Sequence, residues 1–81
     1  MSKADCQKMA SMLDALMQAS LKVQKTLNSF ELDKMTATAS KDVRTVAGPA
    51  ESARIRLVLA LGDFAGFSET LVSELRGCAI R

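Results

Sequence analysis

Apolar residues recur along the chain in steps of three and four. From Cys6 they run through Met9, Leu13, Leu16, Val23, Leu27 and Phe30, with Ser20 holding one place in the series. This spacing marks a seam along one side of an α-helix that packs lengthwise against another helix. Ser2 followed by Asp5 reads as a capping box with Asp in the place of Glu, so the helix is expected to start near residue 3. The rhythm returns late in the chain at Leu57, Leu61, Phe64, Leu71, Leu75 and Cys78, with Ser68 filling the gap. Gly48-Pro49 precedes it: Gly suits the end of one helix, Pro the first turn of the next, and Glu51 that helix's positive end.

Between the two seams, Leu32, Met35, Ala39, Val43 and Val46 are spaced like a helical stripe, and Asn28-Ser29-Phe30-Glu31 resembles a start signal. Thr36, Thr38 and Ser40 oppose it by lowering helix propensity. The pattern predicts three helices, at about 3–28, 30–46 and 49–77. The rival reading is one helix over 3–46 that turns back at Gly48. No strand-like alternation is present. The expected fold class is all-α: a small antiparallel helical hairpin or three-helix bundle, forming one domain over residues 1–81.

Run antiparallel, the two seams align end to end when Cys6 faces Cys78, Met9 faces Leu75, Leu13 faces Leu71 and Leu27 faces Leu57. The same register sets Ser20 beside Phe64 and Leu16 beside Ser68, small against large, as interdigitation requires. A chain of 81 residues buries only about 60% of its unfolded surface. Completion as a four-helix-type bundle by dimerisation is therefore part of the expectation.

Composition narrows the chemistry. The chain has no His, Trp or Tyr, which removes most catalytic triads and metal sites and the usual aromatic platforms. Two Cys without His supply half a zinc ligand set at best. Glu31/Asp33 and Glu69/Glu74 lack the three- or four-residue spacing that brings carboxylates together on a helix, and read as solvated charge. Ala47-Gly48-Pro49-Ala50 lacks the glycines and Lys of a phosphate loop. No catalytic, cofactor-binding or metal-ligating residue is assigned, and an enzyme is the class least favoured.

The N-terminal stretch MSKADCQKM lacks the apolar core of a secretory signal, and the longest apolar run, Leu57 to Leu61, falls far short of a membrane span. A soluble cytoplasmic protein with reduced thiols is the expectation. Cys6 and Cys78 then read as two small apolar seam residues, with a redox clasp as the alternative.

Eleven Lys and Arg against nine Asp and Glu give a net charge of +2, close to balance. A nucleic-acid reading rests on Lys22, Lys25, Arg54 and Arg56 near the loop end. Arg54 and Arg56, two residues apart on a helix, diverge by about 200° and make no stripe. Surplus hydrophobicity is the stronger signal. Off the main seams lie Met12, Met17 and Leu21 in the first helix and Ile55, Leu59, Gly62 and Gly66 in the last. The two glycines suit close approach of another helix, and the five Met of the chain suit an adaptable surface. These seven residues are the expected partner interface. The expected partner is a protein, either this chain itself or an amphipathic helix of another, and the expected role is that of a subunit, adaptor or chaperone.

Overall fold

A computed structural model describes the whole chain, residues 1–81. All regular structure is helical: α1 spans Lys3–Asn28, α2 is a single turn at Leu32–Met35, and α3 runs from Lys41–Ile80. The molecule measures 60 × 15 × 14 Å, so it is two long helices side by side, joined at one end by α2 and its flanking turns.

Helix α1 starts where its cap predicts: Ser2 Oγ accepts a hydrogen bond from the Asp5 amide at 3.1 Å. It ends at Asn28, where the Ser29 hydroxyl turns back to donate to the Thr26 carbonyl at 2.7 Å. The middle segment departs from the expected helix over 30–46. Only one turn forms, and the Thr36 hydroxyl then donates to the Leu32 carbonyl at 2.7 Å, part of a run of side-chain bonds that compete with helix continuation. Ser40 begins a new helix instead, its Oγ accepting from the Val43 amide at 3.4 Å.

The expected boundary at Gly48-Pro49 is absent, and with it both the helix start at 49 and the rival turn at Gly48: α3 passes straight through Pro49. Two features make this tolerable. A residue before Pro is pushed out of the helical region largely by its Cβ, and Gly48 has none. Pro49 also leaves the Thr45 carbonyl without its amide donor, but both residues are exposed, so water can replace the lost bond.

The long helices are antiparallel. Cys6 is bonded to Cys78 with their Cα atoms 6.2 Å apart, and Gln24 Nε2 donates to the Val58 carbonyl at 3.0 Å further along. The expectation of two reduced thiols is thereby corrected. The register that sets Cys6 beside Cys78 brings two β-carbons within bonding reach, and Cys6 is completely buried.

The contact seam differs from the expected one by about half a residue's rotation. Facing α3, helix α1 presents Cys6, Ala10, Leu13, Met17, Ser20, Gln24 and Leu27. In return, α3 presents Ala47, Glu51, Arg54, Val58, Leu61, Ala65, Ser68, Val72 and Leu75. Every second expected seam residue is thus replaced by its neighbour: Met9, Leu16 and Val23 give way to Ala10, Met17 and Gln24, while Leu57, Phe64 and Leu71 give way to Val58, Ala65 and Val72. Small residues (Ala10, Ser20, Ala47, Ala65, Ser68) and polar ones (Gln24, Glu51, Arg54) interleave with the Leu, Met and Val side chains between the helices, and the core is thin. Its one buried hydrophobic cluster is Ala10, Val72 and Leu75, with Leu13 against it.

Glycines 62 and 66 are expected to respond differently to Ala. A Cβ on Gly62 would stand 2.7 Å from Gln24 Nε2, so the amide must swing away from the Val58 carbonyl. A Cβ on Gly66 meets nothing within 4 Å. Gly66→Ala is expected to raise stability by about 0.5–1 kcal/mol through helix propensity. Gly62→Ala should lose most of that gain with the hydrogen bond, worth about 1 kcal/mol. Paired thermal melts check the difference.

Candidate functional site

The seam's rotation leaves the larger apolar residues on one side of the helix pair. Met9, Leu16, Val23 and Phe30 fall seven residues apart on α1; Val43, Ala50, Leu57, Phe64 and Leu71 do so on α3. Residues at that spacing line one side of a helix. The two rows flank the same groove, because Met9, Met12, Leu13, Leu16, Leu71 and Leu75 line one cleft between the helices, apolar throughout. Toward the loop end the α3 row continues into a second cleft, where Val43, Val46 and Ala50 meet Leu32 of α2. Neither row holds a charge.

These side chains are open to solvent: Met9 is 49% exposed, Leu16 57%, Phe64 41% and Leu71 50%. Phe67, on the outer flank of the same side, is 78% exposed. Only nine of 81 residues are buried. Monomeric proteins rarely leave an apolar face of this length uncovered. The opposite side is mixed and polar: Gln7, Ser11, Ser73 and Arg76 line one depression there, and Asp14 and Glu69 line the next. Asp14 and Arg76 face each other across it at 3.8 Å.

The seven residues expected at a partner interface do not form one surface. Met12 lies in the apolar cleft, while Met17 is buried in the seam. Leu21, Ile55, Leu59 and Gly66 belong to the opposite, mixed side, and Gly62 sits beneath Gln24. With the seam rotated from the expected one, the rows of Met9 and Phe64 lie open on one side, and four of the seven residues lie on the other. The open face does have a signal in the spacing: beside the seam each helix carries a further apolar row, Met9 to Phe30 on α1 and Val43 to Leu71 on α3.

The basic residues also fail to gather. Arg54 is turned inward, its Nη1 donating to the Leu27 carbonyl at 2.6 Å and its Nε paired with Glu51. Lys22 and Arg56 occupy the outer edges of α1 and α3, on opposite flanks of the molecule, and Lys25 lies on the last turn of α1. No group of three or more Cys, Asp or Glu converges to hold a metal ion, and no helix is long and apolar enough to cross a membrane.

Glu51 and Arg54 form the polar bolt at the loop end, since Arg54 ties the last turn of α1 to α3. The hydrogen bond from Arg54 holds the Glu51 carboxyl below its ordinary value of 4.5, against the opposing effect of burial. A depressed folded-state value stabilises the fold above the unfolded value and is lost as pH falls through the folded one. Stability is therefore expected to decline below about pH 4.5, and Glu51→Gln should flatten that part of the acid titration. Unfolding curves between pH 6 and pH 2 would show it.

The comparisons decide nothing further. No family model, curated protein or solved structure matches the chain. What it does must be argued from the face itself.

Proposed function

We propose that this protein is a non-enzymatic helical protein–protein interaction module that works by self-association through its open apolar face. The observation that carries this reading is the uncharged double row, Met9 to Phe30 on α1 and Val43 to Leu71 on α3, lying open on a helix pair with a thin core. A second copy supplies an equally long, equally apolar two-helix face and completes a four-helix arrangement. A face on a molecule of 60 × 15 × 14 Å is of the order of the ~800 Å² per partner that stable interfaces bury. Such a module acts as a subunit, adaptor or chaperone of a larger assembly. The disulfide supports a compartment oxidising enough to preserve it, rather than the cytoplasm that the sequence reading favours.

Light scattering over a range of concentration and salt tests the proposal. A mass of two chains that falls only on dilution and is indifferent to salt is the expected result. A single-chain mass at all concentrations, with heparin retention that modest salt abolishes, would favour nucleic-acid binding instead.

A further inference from the structure

The open face has two rows, and the charges beside them are specific enough to say how a second copy lies on it. We infer that the two copies are related by a two-fold axis parallel to the helices, with α1 of each lying over α3 of the other; the inference rests on the self-association proposed above.

The register within the chain fixes the height of every residue along the long axis, because Cys6 is level with Cys78 and Gln24 lies beside Val58. An axis parallel to the helices preserves those heights. Going along the interface, Met9, Leu16, Val23 and Phe30 of one copy then alternate with Leu71, Phe64 and Leu57 of the other, each filling the gap between two. All neighbouring helices run antiparallel, as in an up-down-up-down bundle.

The charges agree. Asp5, Lys8, Lys22, Asp63, Glu74 and Arg81 take part in none of the chain's three salt bridges. They lie on the outer sides of α1 and α3: Asp5 and Glu74 stand next to the apolar rows, and Lys8, Lys22 and Asp63 are turned about 100° from them. In this arrangement Asp5 comes level with Arg81 of the second copy, Lys8 with its Glu74, and Lys22 with its Asp63. Each pair is of opposite sign and differs in height by no more than about three residues, ~4.5 Å.

The reversed arrangement, with the axis across the helices, sets α1 on α1 and α3 on α3. Centred on α1, it brings Lys8 opposite Lys22 and Asp63 opposite Glu74, like charges in both cases. It also carries the loop end of α3 beyond the other copy, leaving Val43 and Val46 further exposed. Complementary edges select partners and orientation more strongly than they add affinity.

Spin labels on the polar side read the arrangement directly. Ala4, Ser11 and Gln18 are exposed, seven residues apart, and outside both the apolar rows and the charge pairs. Each is replaced singly by Cys in the oxidised protein, labelled, confirmed by mass to be a dimer, and its label-to-label distance measured by pulsed electron resonance. A parallel axis predicts one distance common to all three sites, within a few ångströms. A crossed axis changes the axial offset by about 21 Å between Ala4→Cys and Ser11→Cys, twice the rise of seven residues. Unequal distances in a dimeric protein would overturn this arrangement and leave self-association standing. A single-chain mass with no coupling between copies would overturn both.

Discussion

Reducing the Cys6–Cys78 disulfide is expected to lower the stability of the chain by about 4 kcal/mol, the largest effect available from any single bond in it. The bond closes a loop with a sequence separation of 72 residues, and cross-links over loops of that order restrict the unfolded chain by roughly 4 kcal/mol. Little else holds that end of the molecule. The one buried cluster near it consists of Ala10, Val72 and Leu75, and the Asp14–Arg76 pair nearby is largely solvated. For a domain of this size the loss translates into a drop in melting temperature of roughly 20 °C. Thermal melts with and without reductant, at one fixed chain concentration, measure it. Cys6→Ser with Cys78→Ser should reproduce the reduced protein. A change of only a degree or two would mean that the helix pair is held by contacts elsewhere.

Placing a carboxylate in the open face is expected to abolish self-association while leaving each chain folded. Leu16→Glu and Phe64→Glu act on half-exposed positions beside the seam, outside the buried cluster of Ala10, Val72 and Leu75 and away from the disulfide. In an assembled pair each new charge is buried among Leu, Val and Phe side chains with no cation to meet it, at a cost of several kcal/mol. The dissociation constant should rise at least about 100-fold for either variant, equivalent to about 3 kcal/mol. Leu21→Glu, on the mixed side, is the control and should leave the mass unchanged. Sedimentation equilibrium gives the mass, and circular dichroism verifies that the helices remain.

Local signals in the sequence were reliable where they were self-contained. The Ser2 cap, the end of α1 at Asn28 and the facing of Cys6 and Cys78 follow from residues close together or from one long-range register, whereas the bond between the two thiols does not. The Gly48-Pro49 pair misleads because its two effects oppose each other: Pro removes a hydrogen bond, but Gly before it lacks the Cβ that would push that residue out of the helical region. The middle segment misleads for the opposite reason. Its apolar spacing is helical, yet Thr36 and Ser40 capture backbone groups and break the helix into one turn and a new start.

The candidate face was only half legible. The rows containing Met9, Leu16, Phe64 and Leu71 are visible in the spacing, but the sequence reading assigns them to the contact within the chain. Which two of three apolar rows a helix buries against its neighbour depends on how closely the backbones approach. The small seam residues Ala10, Ser20, Ala65 and Ser68 bear on that distance, and a one-dimensional hydrophobic periodicity does not weigh them.

Methionine oxidation tests the central claim residue by residue. Met9 and Met12 line the open cleft, Met17 is buried in the seam, and Met35 on α2 is exposed away from both. Mild peroxide treatment at a series of chain concentrations, read by peptide mass spectrometry, reports each sulfur separately. If the face is covered by self-association, Met9 and Met12 should be protected at high concentration and become reactive on dilution, with Met35 reactive and Met17 protected throughout. Met9 and Met12 reacting as fast as Met35 at every concentration would contradict the account.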